Sequence, residues 1–225
     1  ASSNTQAASM CWRASVSAAT CIGRSNTGAN RFWTGSLRQR SRVVQLYDIN
    51  QARPLLSMPL NGGESDELAN EDINVIVESY CGRYVAACSE DCRAVIYDLR
   101  ATHQPLMRIL EDDAHEEHRD AYRKNATYWM SGWNQELPQG ISQAQWLHNT
   151  TMLVTGTSQG NVVLWDVVSG NPLYKRLVGH KTEISCIGVS RDDSLIASGG
   201  DDGRVVLWGY AGESRSLNGQ TLGEL

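Results

Sequence analysis

Residues 194–208 read S-L-I-A-S-G-G-D-D-G-R-V-V-L-W. Two short apolar runs, 194–198 and 204–208, flank the turn cluster Gly199-Gly200-Asp201-Asp202-Gly203. Asp-Gly between β-branched runs is a strong hairpin signal, because such a turn needs positive φ where glycine meets no steric penalty. The stretch is a β-hairpin, with Trp208 closing its second strand.

Residues 152–165, M-L-V-T-G-T-S-Q-G-N-V-V-L-W, repeat that pattern turn for turn. Gly156 matches Gly199 and Trp165 matches Trp208. A Gly179-His180 pair sits between the two copies, and Asp166 follows Trp165. Weaker copies lie upstream, at 80–98 with Tyr97 in place of tryptophan, and at 41–48, which reads as a third strand and its exit. The exits fall at Asp48, Asp98, Asp166 and Gly209. A period of about 40–45 residues with G-H and W-D marks is the signature of a propeller blade of four antiparallel strands. On these residues the chain resembles the WD-repeat β-propeller family.

The resemblance implies an all-β fold of about four recognisable four-stranded blades, near 7–60, 72–110, 141–178 and 181–218, forming a single domain or a portion of one. In the first blade, residues 10–13 and 19–23 read as strands, followed by an insertion at 24–40 and an outer strand at 55–60. A second insertion, 111–137, separates the second and third blades, and the fourth has a poor outer-strand candidate near 215–217. A seven-bladed ring needs about 300 residues at this period. The expectation is therefore a part of a larger ring.

In this family a histidine, a Ser/Thr, an aspartate and the tryptophan form a hydrogen-bonded chain within the blade. The resemblance carries these structural roles to His180, Ser198, Asp202 and Trp208. A buried aspartate is costly unless paired, and imidazole and indole N–H groups supply its donors. The third blade keeps Thr155 and Trp165 but has Gln159 where the acid would stand. The second keeps Asp91 and Tyr97.

Composition narrows the function. With 20 basic and 25 acidic side chains the net charge is −5, which argues against direct nucleic-acid binding. No apolar run reaches the ~18 residues of a membrane span. Cysteines 11, 21, 81, 88, 92 and 186 have no repeated metal-ligand spacing, and a reducing nuclear or cytoplasmic compartment is the simplest reading. Residues 1–47 contain six arginines (Arg13, Arg24, Arg31, Arg38, Arg40, Arg42) and no acid. That composition also fits an organelle transit segment, although strand patterns within it favour a blade.

Catalytic signals are weak. Gly156-Thr-Ser158-Gln-Gly160 matches G-x-S-x-G, with Asp166 and His180 following in the order used by serine hydrolases, but the elbow must pass into a helix and here it passes into N-V-V-L-W. The hairpin reading is preferred, with no catalytic residue, cofactor or metal expected. His115 and His118 share a helical face only if that segment is helical, and a solvated acidic run accounts for them better.

Partner proteins are the expected ligands. Tyr97-Asp98-Leu99-Arg100 is similar to the aromatic-Asp-x-Arg box by which WD-repeat substrate receptors dock on the adaptor of a cullin-type ubiquitin ligase, which gives Asp98 and Arg100 a docking role. Tyr128, Trp129, Met130 and Trp133 follow a charged run, and such aromatic anchors either centre an interface or cover the propeller edge.

Overall fold

The computed structural model describes residues 21–26, 28, 30–36, 43–51, 53–59, 73–90, 93–101, 106–111, 140–148, 151–169, 171–211 and 216–224. They form sixteen strands in four antiparallel sheets, each built from four consecutive strands in sequence order. The first sheet holds β1 (Cys21–Arg24), β2 (Arg31–Ser36), β3 (Val43–Asp48) and β4 (Leu56–Pro59). The second holds β5 (Ile73–Glu78), β6 (Tyr84–Ser89), β7 (Arg93–Asp98) and β8 (Leu106–Glu111). The third holds β9 (Ile141–Trp146), β10 (Met152–Thr157), β11 (Asn161–Asp166) and β12 (Asn171–Val178). The fourth holds β13 (Ile184–Val189), β14 (Leu195–Gly200), β15 (Arg204–Ala211) and β16 (Ser216–Glu224).

The two hairpins that fix the repeat superimpose in register. Leu153 pairs with Trp165 across β10–β11, and Ile196 pairs with Trp208 across β14–β15. First strands meet first strands, β1 against β5, β5 against β9 and β9 against β13, and among the described residues no comparable contact joins β13 to β1. Four blades therefore stand side by side in an open arc.

The core lies between blades. Trp33, Val44, Leu46 and Met58 of the first sheet pack with Val85, Ala87, Val95 and Tyr97 of the second. Ala86, Ala94 and Ile96 pack with Trp146, Leu153 and Trp165 of the third. Val154, Val162 and Leu164 pack with Ile184, Ile196, Val206 and Trp208 of the fourth. The second and third sheets each contribute to two of these clusters and are apolar on both faces, so strands such as β6 and β11 read as near-continuous hydrophobic runs.

The first blade departs from the sequence reading. The segment expected as an insertion at 24–40 contains β2, which pairs with β1 and β3, so β1 and β2 are its first two strands. Arg31, Gly35 and the glycine-containing turn before them dilute the apolar pattern, yet Trp33 at the centre of β2 is fully buried. The strand expected at 10–13 and the insertion at 111–137 lie outside the described residues, apart from Glu111 at the end of β8. The weak outer strand near 215–217 is the start of β16, which pairs along the length of β15.

Candidate functional site

The fourth blade contains a relay of side chains. Trp208 Nε1 donates to Ser198 Oγ at 2.9 Å, and His180 Nε2 lies 2.9 Å from the same oxygen. His180 Nδ1 lies 3.0 Å from Asp202 Oδ1. A carboxylate only accepts, so Nδ1 carries a proton toward Asp202, and Nε2 faces both the Ser198 hydroxyl and the Ser198 carbonyl oxygen, the latter at 3.2 Å. The contacts run continuously from indole to serine to imidazole to aspartate.

Asp202 also accepts the Lys181 N–H at Oδ2 (3.0 Å) and the Arg204 N–H at Oδ1 (3.1 Å). The Lys181 N–H first and the His180 ring second lower its pKa to about 2. The glycine before His180 has a steric reason, since a Cβ at Gly179 would stand 2.7 Å from the Trp208 ring. The histidine enters the blade only where the indole covers bare backbone.

The third blade has a shorter version. Trp165 Nε1 donates to Thr155 Oγ1 at 2.9 Å, both residues are buried, and Gln159 is half-exposed in the following turn. Gly160 in that turn has φ +83°, and a Cβ there would meet the His180 and Thr182 carbonyl oxygens at 2.7 and 2.6 Å. The residues around Ser158 thus form a hairpin turn that leads into β11. Ser158 and Asp166 bracket β11 at opposite ends, and His180 is engaged by Ser198 and Asp202. The serine-hydrolase arrangement is not assembled. Asp91 lies outside the described residues, and Tyr97 is buried, which pushes its phenol pKa well up.

Sequence reasoning missed the equivalent joint between the first two blades. Trp33 Nε1 and Ser25 Oγ donate to Glu78 Oε2 at 2.7 and 2.8 Å, and Asn26 Nδ2 donates to the Glu78 carbonyl at 2.8 Å. Glu78 is only 4% exposed. An acid at the end of a weakly alternating strand reads as surface, and its partners lie far away in sequence. No local signal marks it.

One end of the arc gathers the first-to-second and third-to-fourth strand loops. There the exit aspartates fold onto their own turns: Asp48 Oδ1 accepts the Asn50 N–H (2.9 Å), Asp98 Oδ1 the Arg100 N–H (3.0 Å) and Asp166 Oδ1 the Val168 N–H (3.0 Å). Such Asx turns fix the residue two positions on. Asp98 is also held by Arg83, at 2.8 Å from Nη2 and 3.1 Å from Nε, and that guanidinium is the main cause of its lowered pKa. Leu99 packs against the core, and Arg100 is exposed. Nearer the inner strands, Tyr80 stacks on His148 with centroids 3.9 Å apart and receives the Gln145 amide at 2.7 Å. His148 in turn contacts Asp193, whose Oδ1 accepts its backbone N–H at 2.8 Å and lies 3.0 Å from its Nδ1. Asp193 has φ +58°, a left-handed conformation that aspartate tolerates better than most residues. Asn26, Ser79, Tyr80, His148 and Asp193 therefore link all four blades along this end. Tyr128, Trp129 and Trp133 lie outside the described residues.

Four-stranded blades joined through their inner strands, with a tryptophan-centred relay inside the blade, define a repeat protein of the β-propeller class. Residues 170–209 match the model of the "WD domain, G-beta repeat". Three relatives align over most of the chain. The Rik1-associated factor 1 of Schizosaccharomyces pombe is 26% identical over 155 residues, covering 68% of this chain and 22% of that protein. The WD repeat-containing protein RUP1 of Arabidopsis thaliana is 24% identical over 203 residues, covering 82% and 43%. The guanine nucleotide-binding protein subunit beta of Zea mays is 24% identical over 197 residues, covering 86% and 44%. The chain carries one matched WD repeat and is similar to WD-repeat proteins over most of its length, and it spans less than half the length of each of these relatives.

Proposed function

We propose that the chain is a non-catalytic protein-interaction platform, a WD-repeat subunit of a multiprotein complex that works in the nucleus or cytoplasm. WD-repeat proteins generally act as interaction scaffolds, and two of the relatives bear names that place them in assemblies, one as an associated factor and one as a subunit. The observation that carries the reading is the fixed loop end of the arc. Its turns are locked by Asp48, Asp98 and Asp166 onto rigid blades, so side chains are displayed at little cost in ordering entropy. Affinity purification of the tagged chain followed by mass spectrometry tests it. Recovery of a reproducible set of partner proteins supports the platform, and a chain that comes through alone removes it.

A second, finer reading has an observation of its own. Arg100 is exposed, its N–H is bound by Asp98, and Tyr97 and Leu99 turn into the core. That is the disposition an adaptor-docking arginine of a cullin-type ubiquitin ligase requires. Arg100→Ala abolishes co-purification of the adaptor if the reading holds, with thermal stability unchanged. Adaptor recovery at the wild-type level removes this reading and leaves the platform standing.

A further inference from the structure

We propose that the loop end of the arc binds an acidic protein segment that carries large apolar side chains. The inference rests on the platform reading and names the chemistry of its partner.

Charges at this end are sorted by what holds them. Every described carboxylate there is engaged within the protein. Asp48, Asp98 and Asp166 cap their own turns. Asp192 accepts from Ser190 and Ser194, Asp193 from His148, and Glu78 is buried against Trp33 and Ser25. The arginines of the same loops behave differently. Arg83 is paired with Asp98, whereas Arg53, Arg100 and Arg191 are exposed and have no ion-pair partner among the described residues. They come from the first, second and fourth blades, so the free guanidinium groups span the arc.

Apolar side chains stand among them. Ile49 is 56% exposed and Val168 55%, each placed by the turn that its exit aspartate caps, and Tyr80 is 43% exposed on the His148 ring. Unpaired guanidinium groups beside isolated apolar and aromatic surfaces match a segment that alternates carboxylates with large hydrophobes. A nucleic acid fits less well, because the chain carries a net charge of −5 and its remaining charge repels a polyphosphate. The opposite end carries the acids instead: Glu183 and Asp201 are exposed there beside Asp202 and the half-buried Glu90, with Lys181 among them. The molecule therefore has a defined orientation toward an acidic partner.

The test is fluorescence anisotropy on the intact chain with a fluorescein-labelled peptide, Glu-Leu-Asp-Glu-Phe-Glu-Asp-Leu. A peptide with lysine at every acidic position and an oligothymidylate of equal length serve as comparisons. The wild type binds the acidic peptide, and Arg53→Gln/Arg100→Gln/Arg191→Gln weakens it about tenfold or more, mainly through the association rate. Lys181→Gln at the opposite end leaves binding within about twofold, as expected for a rim charge beyond the Debye length. Arg100→Gln and Arg191→Gln are measured singly as well, and each weakens binding in proportion should the triple variant not fold. Equal binding by wild type and arginine variants overturns the proposal. So does an oligothymidylate that binds as tightly as the acidic peptide, or a wild type that binds neither. Partners recovered by affinity purification with no dependence on these arginines leave the platform reading intact while this inference fails.

Discussion

Ser198→Ala is the most incisive perturbation of the fourth blade. Ser198 is fully buried, and its hydroxyl accepts from Trp208 Nε1 while lying 2.9 Å from His180 Nε2. Its removal strands the Trp208 indole N–H in a dry interior and leaves His180 Nε2 only the Ser198 carbonyl oxygen at 3.2 Å. A stranded buried donor costs about 1–3 kcal/mol, and the weakened imidazole contact brings the total to about 2–4 kcal/mol. For a chain of this length 1 kcal/mol corresponds to about 2–4 °C, so Tm falls by about 4–16 °C. Thr155→Val in the third blade is the internal control. Among the described residues Thr155 Oγ1 accepts from Trp165 Nε1 alone, the replacement conserves volume, and its cost is about 1–3 kcal/mol. Thermal unfolding followed by far-UV circular dichroism, with indole fluorescence as a second probe, gives both values. Ser198→Thr keeps the hydroxyl and recovers most of the loss. On a His180→Ala background, Ser198→Ala costs less than it does alone by at least about 0.5 kcal/mol, because one of its two partners has already gone. The relay is refuted if Ser198→Ala costs no more than Thr155→Val, or if threonine fails to rescue.

The relay also predicts a pH dependence. Asp202 has a pKa lowered to about 2, against about 3.9 for an unfolded aspartate, so the native state binds fewer protons between those values. Its contribution is therefore fully present above about pH 4 and is lost as pH falls toward about 2; Asp202→Asn, followed by acid titration of Tm, is less stable near neutrality and has a shallower slope in that window. Two glycines at matching repeat positions should respond differently to alanine. At Gly156 a Cβ would stand 2.7 Å from Ile184 Cγ2 and 3.0 Å from Ile187 Cδ1 of the next blade, and overpacking there costs about 1–3 kcal/mol. At Gly199 a Cβ would meet only the thiol of exposed Cys186, which can turn away, so Gly199→Ala falls within about 1 kcal/mol of wild type by the same chemical-denaturation measurement.

What could be read from the sequence followed from local repetition. The hairpins of the third and fourth blades carry their whole instruction within about fifteen residues: a glycine-containing turn, two β-branched runs and a closing tryptophan. The His180–Asp202 contact spans 22 residues, and only the resemblance to the WD-repeat family pointed to those two positions, since the third blade repeats neither. The first blade was not legible in the same way. Its second strand, R-F-W-T-G-S, is short and charged at the start, and what fixes it is Trp33 reaching Glu78, 45 residues away in the next blade. Inter-blade geometry of this kind leaves no periodic trace. Neither does the Tyr80–His148–Asp193 chain, whose members occupy three separate loops and meet only once the blades stand side by side.

The repeat also shows what the arc lacks. On the third blade Val154, Val162 and Leu164 are wholly buried because the fourth blade covers them, and Ser142 Oγ donates across the gap to the Ile184 carbonyl at 2.7 Å. The matching residues of the fourth blade are Ala197, Val205 and Leu207, and these remain half-exposed, with Leu195 beside them 43% exposed. Ser185, the counterpart of Ser142, turns instead to Asp201 of its own blade. Gly156 is shut against a neighbour, and Gly199 meets only Cys186 of its own sheet. At the other end of the arc the first blade leaves Ile22 60% exposed on its first strand. The fourth blade thus has the composition of an interface and the exposure of a surface. Sheets that are apolar on both faces are stable only when both are covered. Among the described residues, Leu195, Ala197, Val205 and Leu207 therefore present the same kind of apolar face that the third blade presents to the fourth.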